Sequence, residues 1–129
     1  STRPWQHVLD PLRGYVMALE AILSGTVIDT LNFGPDSRSL SVQEIVEIGS
    51  ANWPLPTSVE YLDGSQSENI EAISLQLDSK VARDILNWNS CWGQEKSVIA
   101  TFEWWDKVLN KSISPIEACH SDIDYLLST

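Results

Sequence analysis

Arg3-Pro4-Trp5-Gln6-His7-Val8-Leu9-Asp10-Pro11-Leu12 is the stretch on which the reading of this chain turns. It sets an arginine, a tryptophan, a glutamine and a histidine within five residues and then enters a helix. Chain ends are usually frayed, so such a dense segment at the N-terminus is expected to follow something that normally precedes it. Asp10-Pro11 reads as an N-cap followed by proline at the first helical position. Leu12, Tyr15, Val16, Leu19, Ile22 and Leu23 then recur at helical spacing. A helix over 11–24 follows, closed by Gly25.

Working outward, residues 27–33 form a β-prone run that stops at Gly34-Pro35. Helix, link, strand and glycine turn are the rhythm of α/β proteins. Ser41 with Glu44 is a capping-box pattern. It predicts a helix over 42–51 whose buried face carries Val42, Ile45, Val46 and Gly49, and Trp53-Pro54-Leu55-Pro56 ends it. Residues 59–62 and 73–77 read as short strands, with a polar loop over 63–69. Asp78 or Ser79 caps a short helix bearing Val81, Ala82, Ile85 and Leu86. Residues 94–110 form the longest helix, with Val98, Phe102, Trp105 and Leu109 as its core face, beside Ile99 and Val108. Ser114-Pro115-Ile116-Glu117 starts a last helix carrying Ile116, Cys119, Ile123 and Leu126. With no repeat or linker, a single domain over 1–129 is expected, of α/β class, mostly helical with a few short strands.

The 129 residues suit one core, and 43% apolar with 20% charged residues is ordinary for a globular chain. No apolar run approaches the ~18 residues of a membrane span, and no signal-peptide pattern opens the chain. The formal net charge of −10 argues against nucleic acid as a partner. Cys91 and Cys119 show no disulfide framework. Two buried thiols in a reducing cytoplasm are expected. His7 and His120 lie far apart without clustered thiols, so no metal site is assigned.

No glycine-rich phosphate loop, nucleophile elbow or Cys–His pair occurs. Tyr15 has Leu19, not lysine, four residues on. No catalytic residue is therefore assigned. Arg3 is the best ligand candidate, because guanidinium matches phosphate oxygens in a bidentate fork; the plainer reading is a solvated terminal arginine. His7 reads as a hydrogen-bonded structural imidazole or as a base. Gln6 has no role legible from its type. The tryptophans Trp88, Trp92, Trp104 and Trp105 either fill a small core or form an aromatic platform for sugar stacking.

R-P-W-Q-H-V-L-D-P-L-R-G-Y at 3–15 resembles the start of the C-terminal portion of CDP-glucose 4,6-dehydratases, extended short-chain dehydrogenases/reductases of the NAD-dependent epimerase/dehydratase group. The resemblance continues as L-N-F-G-P-D at 31–36 and S-V-Q-E-I-V at 41–46. It goes on through E-A-I-S-L-Q-L-D at 71–78, L-N-W at 86–88, E-W-W at 103–105 and D-I-D-Y at 122–125. It spans nearly the whole chain, and its opening motif is the specific part.

The resemblance implies an enzyme that binds NAD in an N-terminal Rossmann domain, where its Tyr-x-x-x-Lys also lies. None of that is in these residues, so the chain is expected to be a truncated homologue or fragment, catalytically incomplete alone. No cofactor is assigned to it. By resemblance Arg3 contacts the nucleotide-sugar diphosphate, with Gln6 and His7 in the same turn near the substrate. The alternative is a free-standing binding or interaction module. Three departures stand out: Ile70 where the family commonly has histidine, Ser74 for tyrosine and Val81 for lysine. Asn87 also replaces a glycine. The second side of the sugar site would then be altered or lost, leaving binding mainly to Arg3. Without Rossmann elements, the Leu12/Tyr15/Val16/Leu19 face would be bare, and a homodimer or higher oligomer is expected.

Overall fold

The computed structural model describes residues 1–62 and 72–129. Its elements are β1 (Thr2–Arg3), α1 (Leu9–Leu23), β2 (Leu40–Ser41), α2 (Val42–Asn52), α3 (Lys80–Leu86), α4 (Gly93–Asn110) and α5 (Pro115–Leu127). The described residues are thus mostly helical with one two-stranded sheet. β1 runs antiparallel to β2, pairing Thr2 with Ser41 and Arg3 with Leu40. On its other side Thr2 bridges Ser74 in parallel: Thr2 N–H donates to Ile73 O at 3.0 Å and Leu75 N–H to Thr2 O at 3.2 Å.

Helix starts follow local chemistry. Ser41 and Ser114 each form a complete capping box, with Glu44 and Glu117, at the starts of α2 and α5. α1 ends at Leu23, just before Gly25, which takes φ +94°. α3 ends on Asn87 in the left-handed region, φ 54°. That backbone favours glycine and tolerates asparagine.

α4 packs against α2 on one side and α5 on the other, while α1 packs on α3. Phe33, Ala82 and Trp88 form a buried cluster, with Met17, Leu31 and Leu86 against it. Phe33 meets Trp88 edge-on at 5.1 Å and lies over Gly14 of α1, where a side chain would have no room. Phe102 of α4 covers Gly49 of α2 in the same way.

Several expectations are corrected. Residues 27–33 form no strand, because no described segment lies alongside to complete a ladder; Leu31 and Phe33 are held by side-chain packing instead. Residues 59–62 are likewise not a strand, and 73–77 contributes only the Ser74 bridge. The loop expected over 63–69 and the departure at Ile70 fall outside the described residues. Asp10 does not cap α1; it is the second residue of that helix and fully buried. On α4 the buried face is Gln94, Ser97, Val98 and Asp106, whereas Trp105 and Leu109 are exposed. On α5 it is Ala118 and Leu126; Ile116, Cys119 and Ile123 lie open. Their neighbours cover only part of each apolar stripe, so Trp105, Leu109, Ile116 and Ile123 remain exposed. Nor are the thiols buried: Cys91 is half-buried and Cys119 exposed, both free. Among the described residues no helix is long and apolar enough to cross a membrane.

Candidate functional site

The segment between β1 and α1 is held from three directions. Trp5 N–H donates to Gln94 Oε1 at 3.1 Å, and its indole N–H to Leu40 O at 3.0 Å. His7 N–H donates to Ser97 Oγ at 2.9 Å. Gln94 and Ser97 lie about one turn apart on α4, so that helix acts as a splint for an otherwise irregular backbone. Gln94 is satisfied at both ends, since its amide also donates to Ser37 O at 3.1 Å. At the segment's end the Asp10 carboxylate accepts from Ser90 Oγ and Cys91 N–H at 2.7 Å each and from Trp92 N–H at 3.4 Å.

His7 is buried, and its ring stacks on Trp92 with centroids 3.9 Å apart and planes 10° apart. Leu9 N–H donates to Nδ1 at 3.2 Å, so that nitrogen is the acceptor. Nε2 then carries the proton and donates to Asp122 Oδ2 on α5 at 3.2 Å. Both ring nitrogens thus have hydrogen-bond partners.

Gln6 turns the other way. Its Nε2 donates to Phe33 O at 3.0 Å, and its buried Oε1 has no partner among the described residues. Arg3 lies on β1, and its Nη1 donates to Thr2 O at 2.8 Å and Ala72 O at 3.0 Å. The structure therefore brings Gln6 and His7 together and ties Arg3 to the strand beside the 72–75 segment. Ser74 accepts from Thr2 Oγ1 at 3.1 Å, and Val81 is an exposed residue of α3.

Gln6, His7, Val8 and Leu9 line a groove of about 400 Å³ closed by Trp104, Trp105, Cys119, Asp122 and Ile123. The residues not anticipated are Asp10, Gln94, Ser97 and Asp122. Two of these carried a signal: Gln94 and Ser97 are polar residues at core-facing spacing with Val98, which marks side chains recruited to hold backbone. The described residues hold no cluster of His, Cys, Asp and Glu that would bind a metal ion.

No protein-family profile matches the chain. Over 107 residues, 81% of its length, the chain is 34% identical to the CDP-glucose 4,6-dehydratase of Salmonella typhimurium. The matched part is a C-terminal portion amounting to 29% of that relative. The chain thus spans less than a third of the curated relative it matches, and the expected resemblance to the C-terminal portion of a CDP-glucose 4,6-dehydratase is borne out.

Proposed function

We propose that this chain is the C-terminal, substrate-side part of a nucleotide-sugar 4,6-dehydratase, catalytically incomplete alone and contributing nucleotide-sugar contact through Arg3, Gln6 and His7. One observation carries this: 34% identity over 81% of the chain, placed at the C-terminal end of such an enzyme. In this reading NAD and the hydride chemistry belong to the N-terminal two thirds of the dehydratase. Arg3 supplies the charge for a diphosphate, and the splinted 5–10 segment keeps the contact in place. The setting is cytoplasmic, where nucleotide sugars are made and used.

Calorimetric titration of CDP-glucose into the chain tests the binding half, with Arg3→Ala as control; heat from the parent and none from the variant is expected. The incompleteness half predicts no turnover of CDP-glucose with NAD by the chain alone. Turnover by these 129 residues, or no heat from the parent chain, defeats the respective half.

A second reading is favoured by the exposed apolar residues of α1, among them Tyr15, Val16, Leu19 and Leu23. In it the chain is an oligomeric interaction module that docks a Rossmann-containing partner through this face. Co-expression with the N-terminal two thirds of a related dehydratase tests it: co-purification and burial of α1 against hydrogen exchange are expected, and separate elution counts against it.

A further inference from the structure

The six tryptophans do different jobs. Trp88 and Trp92 are buried in the interior. Trp104 and Trp105 form an edge-to-face pair, centroids 5.0 Å apart at 82°, and both line the groove beside His7. Trp105 keeps 49% of its surface exposed. Val8, Leu9 and Ile123 extend the apolar wall. At about 400 Å³ the groove has the size of a small-molecule pocket.

The charge of the lining selects the ligand. Among the described residues that line it, Asp122 is the one acidic side chain and there is no lysine or arginine. Lys96 and Lys107 line a separate depression with Trp92 and Tyr125, which Asp122 also borders. Asp122 Oδ2 accepts the neutral imidazole N–H of His7, while Oδ1 accepts no hydrogen bond among the described residues. A phosphate or carboxylate ligand would face the Asp122 charge with no lysine or arginine in the described lining to offset it. A neutral apolar ligand would bury a half-satisfied carboxylate. A cation on an apolar body meets a carboxylate and two indole rings together, and the net charge of −10 adds a long-range attraction.

We propose that this groove binds a small organic cation, a primary ammonium on an aromatic or alkyl body. The ammonium sits at Asp122 Oδ1, with the body against Trp105 and Ile123. The groove borders the nucleotide-sugar contact at Gln6 and His7, but the residue that supplies that contact's charge, Arg3, lies outside it.

Phenethylammonium is the probe, titrated into the 129-residue chain and followed by tryptophan fluorescence and by the indole N–H signals in NMR. Phenethyl alcohol is the neutral comparison and 3-phenylpropionate the anionic one. The amine is expected to saturate and to bind about tenfold tighter than the alcohol, the acid not at all. Trp105→Ala, at a half-exposed position, is expected to weaken the amine about tenfold with an unchanged circular dichroism spectrum. Asp122→Asn is expected to bring amine and alcohol to equal affinity. Equal binding of amine and alcohol by the parent chain overturns the proposal, as does undiminished amine binding by the folded Trp105→Ala variant. The amine titration is run without CDP-glucose, so a failure of CDP-glucose to bind would leave this result standing.

Discussion

Asp10 shows what a single side chain can decide in a chain with so small a core. It is fully buried and holds the 90–92 turn through three hydrogen bonds, while its carbonyl accepts the Trp88 indole N–H at 2.9 Å. Asp10→Ala leaves those donors without a partner, and a loss of about 3 kcal/mol is expected in urea denaturation. Asp10→Asn retains an acceptor and should lose less; a loss under about 1 kcal/mol for the alanine variant would remove Asp10 from this role. The residue type announced a helix cap, and the structure uses it to tie two distant segments together. The difference is one of range. A cap is completed by neighbours two or three positions away, so it is legible locally, whereas the partners of Asp10 lie about 80 positions on. The same holds for His7, whose type leaves a structural imidazole and a base both open and whose partner, Asp122, belongs to the last helix. Arg3 and His7 are legible as chemistry and Gln6 is not; that Gln6 turns to Phe33 O and Arg3 to Ala72 O is legible from neither residue type.

At the scale of elements, helices were legible and strands were not. α2 and α5 begin where their Ser/Glu boxes stand, because both members of each box lie within the first turn. The run 27–33 has strand composition, but a strand exists only against a partner, and composition names none. The α2 box has a pH signature. The Arg38 guanidinium, then the Ser41 backbone N–H and hydroxyl, hold the Glu44 carboxyl down from an ordinary 4.5 to about 2. A carboxyl lowered in the folded state contributes stability above its unfolded value and loses it as pH falls toward the folded one. The stability difference between the parent chain and Glu44→Gln should therefore be full at about pH 6 and fade between about 4.5 and 2, read from thermal melts. A difference that persists at the acid end would show that Glu44 acts through something other than its charge. The close approach of α1 to the core gives a second expectation. A Cβ added to Gly14 would lie 2.5 Å from Phe33. Gly14→Ala should thus destabilise by about 1–3 kcal/mol through overpacking, against the gain in helix propensity that alanine would bring at an open site.

At the scale of the molecule, the outer side of α1 is a surface made for cover. Leu12 at 45%, Tyr15 at 60%, Val16 and Leu19 at 56% each, and Leu23 at 79% exposure follow one another along one helix. Scattered exposed apolar residues need no explanation, but a contiguous stripe does. In the proposed function its cover is the N-terminal part of a dehydratase. Expressed as these 129 residues, the chain has only copies of itself to offer. Two terms then compete. Burial of the stripe favours association at about 25 cal/mol per Å² of apolar surface, while the net charge of −10 on each copy opposes it. Salt screens the second term and leaves the first intact, since the Debye length shortens from about 10 Å at 0.1 M to 3 Å at 1 M. Light scattering at roughly tens of micromolar should accordingly give a mass above 14.4 kDa that rises with salt. Leu19→Glu puts a charge at the centre of the stripe and should return the chain to 14.4 kDa with its helix content unchanged. A parent chain that stays at the monomer mass even at about 1 M salt, where the charge is screened, would mean that the stripe does not drive self-association. The α1 face would then find its cover only in a partner large enough to bury it whole.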